Sequence, residues 1–494
     1  MSALQHCAER PNAPFHTPGH KRGQGISRRH RQLFGEAAFR ADLPELPDLD
    51  NLFAPEGVIL EAQALAAEAF GADRTWFLAN GSTCGIEAAI LATCGLGEKL
   101  ILPRNVHSSA ISGLILSGAT PIYITPSYSP EWDLPVGIAT KAIQAALTEH
   151  PDTKAVLVVS PTYYGIGSDI TAIAHITHTY GIPLIVDEAH APHFAFHPEL
   201  PTSALAAGAD IAVQSAHKVL SAFTQSALLH TQGNRISHHR ISQCLQLTQS
   251  TSPSYLLLGS LDAARHQMAS NGFALMAKTL SLADRAFEEL SQIHGLQVLQ
   301  PDGGDRITPV LSDRTRITVD VSALGLTGFE ADDILHEQFH VTAELPAMQH
   351  IMFIISLGNT SADITALIKG FQQLCQRHPP TRQSPLSHAD GKHTVAQPSP
   401  ITNVVFPDLL PSHQPTTTPR QAFFADKTVT PVTDSYHRIC AETICPYPPG
   451  IPILLPGEVI TIDAINMLQS ILQSGGTLTG CQDPTLQTIL TVTA

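Results

Sequence analysis

Between residues 99 and 218 short apolar runs keep recurring, each closed by polar residues and most of them separated by a helical pattern. The runs are KLILPRNVH (99–107), TPIYIT (120–125), KAVLVVSPTY (154–163), IPLIVDEAH (182–190) and ADIAVQSAHK (209–218). Strands that are apolar along their whole length need cover on both faces, the condition of a parallel sheet flanked by helices. The helical stretches 138–149 and 169–180 lie between them, as strand–helix–strand crossovers require. The spacing predicts an α/β domain with a mainly parallel sheet, and such sheets take their ligands where the strands run out.

At 494 residues the chain exceeds what one core can serve, so several units are expected. Residues 1–55 are rich in Pro, Gly, His and charge and read as an N-terminal arm that other structure must hold. The major α/β domain is expected over 56–265, opening with GVILEAQALAAEAFGA, an Ala-rich amphipathic helix stopped by Gly71. A smaller α+β domain is expected over 266–376, with RITVDVSALGL and HIMFIISLG as its strands. Residues 377–420 are dense in Pro, Ser, Thr and His, the composition of a linker. A final unit covers 421–494, where the prolines of CPYPPGIPILLPGE suit turns and edges.

The net charge of −15 argues against nucleic acid as a partner and suits a small cationic substrate. The eight cysteines lack paired CxxC spacing and read as reduced thiols. The start lacks the apolar core of a signal peptide, and no apolar stretch reaches the roughly 18 residues of a membrane span. A cytoplasmic protein with no membrane partner is the expectation.

Three segments carry candidate chemistry. In LANGSTCGIEAAILATCG (78–95), Gly81, Ser82, Thr83 and Gly85 precede an Ala/Ile-rich helix, whose free N–H groups and dipole favour an anion. By itself this reads first as an ordinary cap with a glycine turn; it is not a nucleotide-binding P-loop, since GxxxxGK[ST] is absent. In IPLIVDEAHAPHF (182–194), Asp187 ends a buried strand and the small Ala189 falls on the same side, leaving room for a flat ring. His190 and His193, with Asp187 or Glu188, are also conceivable metal ligands, but no HExxH pattern accompanies them and no metal is expected. Lys218 ends a further buried strand beside Ser215 and His217. Most lysines are simply solvated; a partly desolvated one near positive charge is a nucleophilic amine. A phosphate cradle, a carboxylate for a ring nitrogen and such a lysine, in that order, together fit pyridoxal 5'-phosphate.

The chain resembles the Orn/Lys/Arg decarboxylases of aminotransferase-like (fold-type I) architecture, and within them the short bacterial arginine decarboxylases. The segments that carry the likeness are FHTPGHKRG, LPDLDNLFAPEGVILEAQALAAEAFGA, LPRNVHSSAISGLILSGATPIYI, VDEAHAPHF, SAHKVLSAFTQSALL, STSPSYLLLGSLDAAR and YPPGIPILLPGE. The resemblance implies that Lys218 binds the cofactor covalently, that Asp187 pairs with its ring nitrogen, and that His107 stacks on the ring opposite Ala189, with His190 beside them. Ser82, Thr83, Ser215 and His217 would hold the phosphate, and Glu344 would meet the far end of the substrate or stand as a solvated loop carboxylate. The reaction implied is decarboxylation of arginine to agmatine for polyamine synthesis, with lysine and ornithine as alternative substrates. A different fold-type I enzyme, such as an aminotransferase, and a catalytically silent relative remain as alternatives. At least a homodimer is implied, with the HTPGHKRG arm as the segment to cross to the partner. The sequence departs from the family pattern at Cys84, in the phosphate loop, and in the length of the 377–420 linker.

Overall fold

The apolar runs assemble into one sheet. In the computed structural model, which describes residues 1–300, 311–380, 417–447 and 450–493, the first strands are β1 (Arg74–Leu78), β2 (Lys99–Pro103), β3 (Thr120–Ile124), a short hairpin of β4 (Ser127–Ser129) and β5 (Leu134–Gly137), β6 (Ala155–Val159), β7 (Leu184–Asp187), β8 (Ile211–Gln214) and β9 (Ala227–Thr231). Seven of them order as β1-β9-β8-β7-β6-β2-β3. Within that sheet only β9 runs against its neighbours, which makes it mainly parallel.

Alternation along each strand explains why both faces are apolar. Leu157, Ile185, Ile211 and Val213 pack on one side with the helices Gly81–Thr93, Ser108–Ser117 and His238–Thr248. Val156, Val158, Leu184, Val186 and Ala212 pack on the other with Thr140–Glu149 and Ile170–Thr179. Each strand buries both sets of side chains, so no polar alternation survives in the sequence. The helix Val58–Phe70 ends as its composition requires, with Gly71 at φ 72° donating back to Ala67 and Glu68.

A second sheet, antiparallel, orders β10 (Gln297–Val298), β11 (Arg316–Asp320), β13 (His350–Ile354) and β12 (Leu345–Pro346). The helix Tyr255–Ser291 joins the two bodies without a break: Tyr255 to Leu280 pack with the first and Leu282 to Leu290 with the second. The boundary expected between residues 265 and 266 therefore falls inside one helix. Residues 1–55 lie on this helix and on the major domain in the same chain. The N-terminal amine meets Asp262 at 2.8 Å, Leu4 and Cys7 are buried with Leu258, and Tyr255 donates to the Asp50 carbonyl at 2.6 Å.

Of the expected linker, residues 381–416 lie outside the described residues. Its flanks are helical: Arg377 closes the helix Ser361–Arg377, and Pro419–Phe424 is a capped turn of helix. The last unit pairs β14 (Lys427–Pro431) with β17 (Thr488–Val492) and β15 (Cys445–Tyr447) with β16 (Thr477–Thr479), around the buried face of the helix Ile462–Gln473.

Candidate active site

The carboxyl ends of β2, β6, β7 and β8 open on one cavity of about 840 Å³, counting its mouth. Gly81, Ser82, Thr83, His107, Asp187, Ala189, His190, Ser215, His217 and Lys218 all line it. Gly81 aside, these are nine of the ten residues for which a cofactor or substrate role was expected from the sequence, and Glu344 is the exception.

Strand geometry sets each position. Asp187 closes β7 opposite Val159 and Val213, and Lys218 follows β8 in a single helical turn, its N–H donating to Ser215. The Ser215 N–H donates in turn to the Ala189 carbonyl at 3.3 Å, locking the two strand ends together. The helix Gly81–Thr93 starts at the cavity with no side-chain cap, the Gly81 N–H donating to the Gln225 carbonyl at 2.9 Å, and Ser215 Oγ donates to Ser82 Oγ at 2.8 Å. Cys84, the departure noted in the sequence, is buried and points back to the Gly81 carbonyl, away from any anion role.

The titratable groups are strongly biased by burial. Asp187 is buried with one hydrogen bond, from the Ala189 N–H at 3.2 Å; burial raises its pKa and the Lys218 charge opposes that. Burial pushes the Lys218 pKa down; Asp187 and Glu344 push it back up, and the Arg316 guanidinium adds to the lowering. Burial, with help from Lys218, takes His107 down to about 4, so this ring is neutral near pH 7. His107 Nδ1 accepts from the Ser109 N–H at 3.1 Å, which fixes the ring at the start of the helix Ser108–Ser117. His217 Nδ1 donates to the Ser226 carbonyl at 3.0 Å. Its free nitrogen is then a bare acceptor, and His217 can bind an anion only as a cation.

Two of the conceivable metal ligands are committed elsewhere. Glu188 accepts from the Ala204 N–H and from Gln214 Nε2, both at 2.7 Å, and burial pushes it up to about 7. His193 faces Asp313, with Nε2 3.2 Å from Oδ2 and off the hydrogen-bond direction. Among the described residues no group of three His, Cys, Asp or Glu side chains is placed to hold a metal ion.

Glu344 stands just before β12, exposed and outside the immediate lining. Its charge still reaches the site, acting on Lys218, His217 and Arg316.

Sequence reading overlooked Asn105, Thr162, Tyr163, Ile451 and Arg316. The first three belong to LPRNVH and SPTYYG, which follow β2 and β6, so the strand-end rule already applied to Asp187 could have found them. Tyr163 packs against His190 with ring centroids 4.3 Å apart and planes tilted by 55°, and its ring centroid lies 5.3 Å from Lys218 Nζ. Ile451 and Arg316 come from the other units; Ile451 lies in the YPPGIPILLPGE string that carries the family likeness, whereas nothing local marks Arg316. The last unit reaches the site through Gly450, where a Cβ would stand 3.2 Å from His107 Nε2. Behind this contact Arg104 clamps the Glu458 carboxylate with two 2.8 Å bonds and donates to the Pro452 and Ile453 carbonyls.

Two family models match the chain: the major domain of the Orn/Lys/Arg decarboxylases over residues 1–311, and their C-terminal domain over residues 404–481. The second begins inside the stretch expected to be linker. Similar proteins include an arginine decarboxylase of Bacillus subtilis, 39% identical over 99% of this chain and 96% of that protein. Another is an arginine decarboxylase of Halalkalibacterium halodurans, 39% identical over 96% and 93%. Among solved structures, the Francisella novicida lysine decarboxylase superposes with a TM-score of 0.81 at 21% identity, over 99% of this chain and 80% of that one. At that identity the likeness is one of fold.

Proposed function

The chain belongs to the Orn/Lys/Arg decarboxylase family, and from that premise we propose that it converts arginine to agmatine and CO2, with pyridoxal phosphate held in the cavity around Lys218. The observation that carries the reading is the meeting of Lys218, Asp187, His107 and the Ser82, Thr83 and Ser215 hydroxyls on one cavity. Arginine is preferred as substrate because the relatives matched over nearly the whole chain at 36–39% identity are arginine decarboxylases.

The donor set fits the cofactor. An uncapped helix end beside three hydroxyls suits a phosphate, and a buried carboxylate with one hydrogen bond has room for a ring N–H. Bound there, the cofactor supplies an aldehyde for an amine and a ring able to accept the electron pair that a departing carboxylate leaves behind.

The protein's own residues account for the rest. Asp187 holds a proton on the ring nitrogen through opposite charge, which also restores the ionised state that burial disfavours. Neutral His107 and small Ala189 confine a flat ring between them. Orientation then selects the reaction: the bond to the carboxylate breaks most readily when it stands perpendicular to the ring. Lys218 and the histidines about it are placed to move a proton at Cα. Glu344 takes the substrate guanidinium through paired hydrogen bonds, a geometry that an ammonium cannot reproduce. The active assembly is at least a homodimer in the cytoplasm, a reading supported by exposed Phe15, Leu33 and Phe34 on the N-terminal arm.

Separate incubation with arginine, lysine and ornithine tests the substrate. Agmatine should form fastest; faster cadaverine or putrescine moves the assignment within the family, and a keto acid product ends it. Borohydride reduction followed by peptide mapping tests the site. The tag should fall on Lys218, and a tag on any other side chain shows the cavity misread.

A further inference from the structure

Lys218 does not face solvent alone. Its Nζ lies 2.9 Å from His190 Nε2, and the other ring nitrogen of His190 is buried with no hydrogen-bond partner. Arg316, on β11 of the second sheet, crosses to this point. Its Nη2 donates to the His190 carbonyl at 2.7 Å, while Nε and Nη1 have no hydrogen-bond partner, the nearest carboxylate oxygen to Nε being Asp313 Oδ2 at 3.9 Å. Gly165, at φ 81°, leaves the space through which this side chain passes: a Cβ there would stand 2.8 Å from Arg316 Cγ.

We infer that His190 and Arg316 together hold Lys218 as an uncharged amine, His190 by donating from Nε2 to the Nζ lone pair and Arg316 by anchoring the His190 backbone with a guanidinium left half unpaired. The inference rests on the reading of Lys218 as the cofactor lysine and adds what prepares it.

The two His190 tautomers differ in which buried nitrogen they leave without a partner. If Lys218 were an ammonium, His190 Nε2 would accept from it, and Nδ1–H would be a buried donor without an acceptor. If Nε2 carries the proton, the orphan is a bare acceptor. Buried N–H groups without partners are the rarer of the two, so the second arrangement is favoured. His190 is not doubly protonated, since burial above all takes its pKa well below the ordinary histidine value.

The groups around Nζ divide. Asp187 at the end of β7, Glu344 before β12 and the Tyr163 ring face favour an ammonium. Burial and Arg316 oppose it, and the net effect is a pKa below the ordinary lysine value. His107 and His217 both lie below the ordinary histidine value, chiefly through burial, and add no full positive charge near pH 7. Arg316 is here a positioning residue, since it acts through His190 and through its field.

The test uses the full chain stripped of cofactor. Lysines are acylated with a small amine-selective reagent across a pH series, and labelling is read peptide by peptide with exposed Lys141 as internal standard. Lys218 should reach half-labelling at lower pH than Lys141. Arg316→Met should move that midpoint up by about one pH unit, roughly tenfold slower labelling at fixed pH. His190→Phe should move it the same way, while His190→Gln, which keeps an N–H donor, should stay nearer the parent. A Lys218 midpoint at or above that of Lys141, or one unmoved by His190→Phe, overturns the inference. The two His190 variants decide the matter if Arg316→Met does not fold. A borohydride tag on another lysine would instead remove the functional reading and leave these midpoints standing.

Discussion

Single side chains in this site are governed by what burial does to charge. Lys218, Asp187 and His107 are each pushed toward their neutral forms by loss of water, and each is then answered by a neighbour rather than by solvent. Glu344 is the contrast, an exposed carboxylate that acts on Lys218 only at a distance. That difference makes it separable from cofactor binding. Glu344→Ala should lower kcat/KM for arginine by about 10- to 100-fold, the loss of a charged hydrogen-bond pair, while cofactor affinity changes by less than about a factor of two. Steady-state kinetics beside a cofactor titration checks it, and equal loss in both would show Glu344 to be structural. Asp187 was legible in the sequence because it ends an uninterrupted apolar run, and Lys218 because it follows another such run, past Ser215 and His217. Arg316 was not: as the first residue of RITVDVSAL it reads as an ordinary charge at the mouth of a strand.

At the scale of elements, the site depends on how closely the helix Gly81–Thr93 approaches the sheet. Gly85 is the contact: a Cβ there would lie 2.7 Å from Leu78 Cδ1 on β1 and 2.8 Å from Val213 Cγ1 on β8. Gly85→Ala sets two effects against each other. Helix propensity favours alanine by about 1 kcal/mol, whereas forcing a methyl into a filled core costs about 1–3 kcal/mol. Both distances are far below van der Waals contact, so overpacking wins. The variant should unfold at lower temperature and bind the cofactor several-fold more weakly, because the shifted helix carries Ser82 and Thr83. A raised Tm with unchanged cofactor affinity would refute this packing argument. The sequence predicted this helix and the parallel strands beside it, since each declares itself by its own period. It did not mark β1 and β9, where Arg74 and His230 interrupt the apolar runs. His230 is nonetheless buried, held between Thr75 Oγ1 at 2.7 Å and Gln214 Oε1 at 3.1 Å.

Across the whole molecule, units far apart in sequence share one cavity, and the Arg104–Glu458 pair ties the last unit to the first. Both side chains are almost fully buried, at 3% and 2% exposure. Removing one partner leaves the other charge stranded, a loss of about 3–5 kcal/mol. Arg104→Met should therefore lower the unfolding temperature and expose the C-terminal unit to proteases. Activity should fall with it, because Gly450 would leave His107 and Ile451 would leave the cavity wall. Glu458→Gln added to Arg104→Met should recover part of the loss. Unfolding and proteolysis that match the parent chain would show that the pair does not hold the units together.

Periodicity and strand-end chemistry, taken alone, determined the parallel sheet, the edge on which the site lies and most of the residues facing it, His107 coming only from the family resemblance. Those are local properties: what a segment must bury is written in its own pattern, and a strand's end follows from where that pattern stops. Only the tertiary structure decided that Ile451 lines the same cavity, that Arg316 and Gly450 stand behind it against His190 and His107, and that Glu344 lies outside the lining. Which distant segments meet depends on how separately buried bodies pack against one another, and no run of neighbouring residues records that.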